Sequence, residues 1–310
     1  MNIRSGQFIC LMAASIAAAG IGHAQNVPPD HPSVTVNGKT YNPRTVLDRN
    51  QGKGTDTPGG DMVTQFPPHK IIGNVYYVGS KTLSSFLIVT PEGDILIDSG
   101  YERSVRSIVE KSVGELGFKF SDIKMVFNNH DHGDHAEGDA LVKELTGAKV
   151  IEIAEGVPGL KRIMPGGKEH PIDQVIHDGD TVTLGGTTLV AHLMQGHAAG
   201  GTTWTMKATE GGKTYDVVFF TSIRPPGKIS PATLTQYNHT FPLARALPCD
   251  VPLEDHAQAY GMQEKYAKIR KGGPNPFIDP MGCLLETDME DSMVHAILQE
   301  QEQASHQASN

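Results

Sequence analysis

The densest chemistry in this chain is the run Asn128-Asn129-His130-Asp131-His132-Gly133-Asp134-His135, which directly follows the apolar Met125-Val126-Phe127. The apolar triplet reads as a buried strand, and the run falls at its carboxyl end, where α/β proteins place their sites. On extended backbone, residues two apart point the same way, so His130 and His132 can reach one metal ion. Asp134 and His135, past the flexible Gly133, can face a second. Imidazole and carboxylate together suit zinc and its first-row neighbours, whose task in catalysis is to ready a water for attack. The bland alternative is a solvated loop rich in His and Asp. The choice turns on whether the rest of the chain supplies the missing ligands.

The surrounding pattern is one that could hold such a run in place. Residues 71–78, 84–89 and 94–97 read as strands, with Pro91-Glu92-Gly93-Asp94 as a turn. Val105, Ile108, Val109, Val113 and Leu116 recur at helical spacing and stop at Gly117. Beyond the run, 137–145 is a short helix with Leu141 and Leu145 inward, and 150–153 is the next strand. Residues 154–175, with Pro158, Pro165, Gly166 and Gly167, form an irregular segment long enough to be a lid. Ile163 and Met164 are either its apolar tip or ordinary packing residues. Strands follow at 181–184, 187–193, 202–206 and 216–220, with His197 in the loop between the second and third. A last strand at 250–253 leads into Glu254-Asp255-His256, and helices cover 262–271 and 283–299. Strand-helix-strand units followed by a second β-rich half with terminal helices predict an α/β fold of two sheets sandwiched between helices.

The 310 residues carry Lys+Arg 26 against Asp+Glu 35, a net charge of −9. That balance argues against a nucleic-acid surface or an anionic-membrane binder. Residues 1–24 read as a secretory signal: Arg4, an apolar stretch from Phe8 to Ile21, then Gly22-His23-Ala24. An anchoring helix is the alternative, but the stretch is short and no charged stop follows. The mature chain would then begin at Gln25, in the periplasm or outside the cell. Cys10 leaves with the signal, so Cys249 and Cys283 remain in an oxidising compartment, as one disulfide or as two buried thiols. Residues 25–64 have too little apolar content to fold alone. Within them, Val34 to Tyr41 reads as a small hairpin turning at Asn37-Gly38. This extension could pack on the main domain or join a second subunit into an oligomer.

Several stretches resemble the metallo-β-lactamase superfamily, most closely the third subclass of class B β-lactamases. They are Asn74-Val75-Tyr76-Tyr77-Val78-Gly79, Ile95-Leu96-Ile97-Asp98, the His130–His135 run and His177-Asp178-Gly179-Asp180. Gly196-His197, Gly201-Thr202-Thr203-Trp204, Leu247-Pro248-Cys249-Asp250-Val251 and Gly273-Pro274-Asn275-Pro276-Phe277 extend the likeness. The resemblance implies an αββα sandwich of two mixed β-sheets flanked by helices, over a catalytic domain of residues 65–310, with two zinc ions along one edge. It implies that His130, His132 and His197 hold the first zinc, and Asp134, His135 and His256 the second. Asp98 would brace the metal loop, and the remaining histidines, among them His69, His170, His177 and His192, would be structural or solvated.

Glyoxalase-like and lactonase-like relatives usually carry a metal-bridging Asp after the strand of the second half, whereas here Val217 to Phe220 runs into Thr221-Ser222. A small Ser there points to the β-lactamase branch. The activity implied is zinc-dependent hydrolysis of the β-lactam amide, and with it antibiotic resistance. Asp134 would be the catalytic residue that orients the water, and Ser222 and Arg224 would receive the substrate carboxylate. Arg224 reads equally as a surface charge. Glu254 and Asp255, where relatives have neutral or apolar residues, would sit beside the second metal, repelling an anionic drug or raising the basicity of His256. Competing readings are a periplasmic hydrolase of another ester, lactone or amide, a single-iron thiol dioxygenase, and a zinc-binding module without turnover.

Overall fold

The computed structural model describes residues 34–36, 38–41 and 61–308. The signal segment 1–24 lies outside the described residues, as does most of the 25–64 extension. Of that extension, β1 (Val34–Val36) and β2 (Lys39–Tyr41) form the expected antiparallel hairpin, with Val36 opposite Lys39, beside the last helix of the chain. No helix among the described residues is long and apolar enough to cross a membrane.

Two mixed sheets make up the fold. The first has seven strands in chain order: β3 (His69–Ile72), β4 (Val75–Tyr77), β5 (Phe86–Ile88), β6 (Asp94–Ile97), β7 (Ile123–Phe127), β8 (Lys149–Ile153) and β9 (Gln174–Ile176). Pairings are antiparallel from β3 to β6 and parallel from β6 to β9. The second sheet has five strands: β10 (Thr181–Leu184), β11 (Thr187–Leu193), β12 (Thr202–Glu210), β13 (Lys213–Phe220) and β14 (Val251–Glu254). The stretch 71–78, expected as one strand, is a hairpin instead. Gly73 takes the left-handed φ of +54° and folds β4 back on β3, adding an edge strand.

Three apolar layers fix the order helix, sheet, sheet, helix. Ile72, Val75, Phe86, Ile97 and Phe127 of the first sheet pack on Leu189, Trp204, Phe219 and Leu253 of the second. Outside the first sheet, Val105, Val109, Val113 and Val142 cover Leu87, Leu96 and Val126. The first three belong to a helical stretch built from Glu102–Ser104, a π-helical Val105–Glu110 and Lys111–Glu115, and Val142 to the helix Asp139–Thr146. Outside the second sheet, Tyr237, Phe241 and Ala244 of the helix Pro231–Ala246 meet Met289, Met293 and Ile297 of the helix Pro280–Ala308.

The helix Pro231–Ala246 was not expected. Its residues Thr, Asn, His and the internal Pro242 have low helix propensity. Ser230 starts it by accepting the Thr233 N–H at 3.0 Å, and packing of the two aromatics on the second sheet holds it. The Cys249 and Cys283 sulfurs are joined, tying the start of β14 to the last helix across 34 residues.

Candidate metal centre

All candidate ligands leave strand ends on one edge of the sandwich. After Phe127 the backbone bends through residues 129–132, with His132 itself at φ −106° and ψ 153°, then turns into a short helix Gly133–Ala136. That turn carries Asp134 and His135 to the far side of His130. Gly133 is the first helical residue and not a left-handed hinge, so the helix start does the work expected of glycine flexibility. His197 comes from the β11–β12 connection and His256 from just beyond β14. Gly196 has φ +131° and a Cβ there would meet the Tyr237 ring at 2.4 Å, so only glycine lets the chain deliver His197 here.

Two triads of donor atoms result, and a third group, His130, His135 and Asp255, draws one ring from each of them. His130, His132 and His197 present ring nitrogens within 4.8 Å of one another, and so do Asp134, His135 and His256. His130 Nε2 and His132 Nδ1 are 3.0 Å apart. Asp134 Oδ2 stands 3.5 Å from His135 Nε2 and 4.0 Å from His256 Nε2. The rings of His130 and His135, one from each triad, have centroids 4.2 Å apart, so the two triads adjoin. His135 Nε2 is buried and has no hydrogen-bond partner in the protein. An inward-facing, unsatisfied imidazole nitrogen in an all-nitrogen and oxygen donor set is what a zinc-type cation needs. The residues fit such an ion.

The far nitrogens of the rings are held from behind. Asp98, fully buried and in the left-handed region at φ 59°, has Oδ2 3.1 Å from His135 Nδ1, while its Oδ1 accepts the Asn129 N–H at 2.7 Å. His197 Nδ1 donates to the Arg224 carbonyl at 2.9 Å. Below the run, the Asn128 amide donates to Asp139 at 2.6 Å and to Glu152, and Asp139 also takes the Ser99 hydroxyl and lies 3.1 Å from His170 Nε2. The segment 154–175 is therefore pinned at His170, contains a helical turn at Val157–Leu160, and leaves Met164 57 % exposed. His170 and His69 are buried, His192 meets Thr205 Oγ1 at 2.9 Å, and His177 is exposed.

Charge is distributed unevenly across the site. Burial pushes the Asp134 carboxyl up, but the imidazoles of His135, His256 and His130 outweigh it and hold the group below the ordinary range. Burial likewise opposes a charge on His135, yet Asp134, Asp255 and Asp98 around it raise its pKa. Burial and the nearby His135 lower that of His130. Of Asp98, Asp134 and Asp255, only Asp134 reaches solvent, with its side chain 21 % exposed.

Of the two acids before His256, Asp255 raises the basicity of that imidazole as expected, against the larger lowering by burial. Burial, with Asp255 beside it, pushes the Glu254 carboxyl well up, and the group accepts the His256 N–H at 3.2 Å. Asp255 is fully buried and turns to His130 of the other triad, with Oδ2 3.0 Å from Nδ1. Ser222 is 5 % exposed and gives its N–H to Asp255 at 2.7 Å. Arg224 is half-buried and close enough to His256 for its charge to help depress that imidazole, after burial.

Comparison with known proteins agrees with this geometry. Residues 82–210 match the family described as the metallo-β-lactamase superfamily. A hydroxyacylglutathione hydrolase of Hyphomonas neptunium is 36 % identical over 97 residues, and that match spans 31 % of this chain and 34 % of the enzyme. The BJP-1 subclass B3 metallo-β-lactamase of Bradyrhizobium japonicum superposes with a TM-score of 0.71 at 31 % identity, over 80 % of this chain and 99 % of that one. A point mutant of the FEZ-1 metallo-β-lactamase of Legionella gormanii does so with 0.74 at 39 % identity, over 78 % and 98 %. With more than a third of its aligned residues shared across nearly the whole of one such enzyme, on the same fold, this chain belongs to the metallo-β-lactamase superfamily.

Proposed function

We propose that this metallo-hydrolase opens the β-lactam amide bond with two zinc ions, as an exported protein whose mature chain starts near Gln25. The observation that supports this most is the pair of adjoining three-donor groups, five imidazoles and one carboxylate, at one edge of a sandwich shared with subclass B3 enzymes over almost their full length. The end of β13 supplies Thr221 and Ser222 and no acid, which fits the same branch.

His130, His132 and His197 would hold one ion, and Asp134, His135 and His256 the other. Zinc bound there supplies a Lewis acid for the carbonyl oxygen and brings the pKa of water to about neutral. Asp134 is the one carboxylate of the three that solvent reaches, and the surrounding imidazoles keep it ionised. It is therefore the carboxylate placed to orient the attacking water. Arg224, on the His256 side, offers a cation to the substrate carboxylate, with Ser222 behind it. The result of such hydrolysis would be β-lactam resistance.

A second reading is hydrolysis of a glutathione thioester, favoured by the match to hydroxyacylglutathione hydrolase. Hydrolysis of a chromogenic cephalosporin and of an S-acylglutathione by the zinc-loaded mature chain, each with and without a chelator, separates the two. Chelator-sensitive cephalosporin turnover is the expected result. Turnover of the thioester alone would overturn the β-lactamase reading.

A further inference from the structure

Strand β14 runs parallel to β13 with Phe220 opposite Glu254, so Asp255 lies alongside Thr221 and Ser222. A carboxylate from the neighbouring strand thus arrives where β13 itself provides none. Asp255 is 0 % exposed. Its main-chain N–H donates to the Phe220 carbonyl and its main-chain carbonyl accepts the Ser84 N–H at 2.8 Å, which fixes the residue from two sides. In the side chain, Oδ2 accepts the Ser222 N–H at 2.7 Å and stands 3.0 Å from His130 Nδ1, off the line of the ring N–H. Oδ1 is buried and makes no hydrogen bond.

A buried carboxylate is costly unless paired, and one backbone N–H does not compensate it. The imidazoles provide the rest. His130 Nε2 is already committed to the side of His132 and His197, so Nδ1 is the nitrogen left to face Asp255. The arrangement repeats that of Asp98 behind His135: the two imidazoles at the middle of the site, one in each triad, both stand on a buried aspartate.

We propose that Asp255 is a positioning residue of the metal centre, holding His130 as the Nδ1–H tautomer so that the Nε2 lone pair points into the first triad. This rests on the metal-centre reading and is independent of which substrate is hydrolysed. Asp255 acts on His130 through the ring and takes no part in contact with substrate.

The test uses the full mature chain and two variants: Asp255→Asn, which keeps an acceptor for Ser222, and Asp255→Ser, which removes the carboxyl. Zinc and cobalt(II) are titrated against a chelating dye, and the imidazole nitrogens of the zinc-loaded proteins are assigned by proton–nitrogen correlation spectra. Expected are wild-type His130 protonated on Nδ1, and a first-site affinity lowered about 10–100-fold in Asp255→Ser, with the second site far less affected. Wild-type first-site affinity in the Ser variant, or wild-type His130 protonated on Nε2, overturns the proposal. If neither variant folds, the wild-type tautomer decides alone. A wild-type chain that binds no divalent ion would instead overturn the metal-centre reading beneath it.

Discussion

Asn129 is the residue whose loss tests most directly how the two sheets hold one site between them. Its side chain is fully buried, and Nδ2 donates to the carbonyls of Thr202 on β12 at 3.2 Å and Phe219 on β13 at 3.0 Å. Its backbone carbonyl takes the Thr202 N–H at 2.6 Å, and its N–H goes to Asp98. Replacing Asn129 by Ala keeps the backbone bonds and removes both side-chain donors, leaving two buried carbonyls short of a partner at about 1–3 kcal/mol each. Oδ1 has no partner in the native protein, so its loss offsets a little of that. A net cost of about 3 kcal/mol is a large part of a typical stability of about 5–15 kcal/mol. For a domain of this size it lowers Tm by about 6–12 °C.

Calorimetry of the disulfide-intact protein measures this directly. Asn129→Asp provides the sharper comparison: the shape is retained, but a carboxylate would face two carbonyls with Asp98 nearby, so it should be worse than Ala. An Ala variant within about 2 °C of wild type, or an Asp variant as stable as the Ala one, would refute the reasoning.

Three further outcomes follow from particular groups. His69, stacked on Tyr77 and Phe277, has its pKa lowered by burial from 6.5 to about 4. The unfolded chain therefore takes up this proton first, and stability is lost as pH falls from about 6.5 through about 4, by about 2.5 kcal/mol at pH 4.5. Denaturant melts of His69→Phe and wild type at pH 7 and 4.5 should show a smaller acid loss in the variant, and equal losses would contradict the sign. Reducing the Cys249–Cys283 bridge, or changing Cys283 to Ser, opens a 34-residue loop and should cost about 3–4 kcal/mol in the same melts. Asp134→Asn should abolish hydrolysis of any substrate the wild type turns over while leaving Tm close to wild type, measured by initial rates on zinc-loaded protein; near-normal turnover would remove Asp134 from its proposed role.

The part of the site written locally in the chain could be read from it. Four of the six donors lie within His130 to His135, where spacing alone indicates which residues can face together. His197 and His256 are single histidines far along the chain, and only the likeness of their flanks to a known family singled them out. The charge of Asp255 and its effect on the neighbouring His256 are legible in the sequence, but its contact with His130 is not. At the end of a strand successive side chains alternate, so when His256 faces its own triad, Asp255 turns inward to His130 and not toward a drug. No sequence rule gives that partner, because 125 residues separate Asp255 from His130 and the β13–β14 register brings them together. In the fold, periodicity recovered the buried strands and the helix facing Val105 to Val113. It missed Pro231–Ala246, whose Thr, Asn and Pro residues weaken the local signal while tertiary packing of Tyr237 and Phe241 supplies the stability.

Trp204 is the single tryptophan of the chain, and its indole N–H donates to the carbonyl of Asn128 at 3.1 Å. It is 1 % exposed and lies edge-on to Phe127, the residue from which the histidine run departs. Excited beyond the absorption of the tyrosines, the protein therefore emits from one indole attached to the base of the candidate centre. Native protein should emit at the short wavelengths of a dry indole, and loss of the sheet-to-sheet contact should shift that band to the red in one step. Because the hydrogen bond ends on the backbone two residues before His130, intensity should also respond when the run is drawn tight. Every variant described above thus carries its own unlabelled reporter of whether the edge between the sheets is closed.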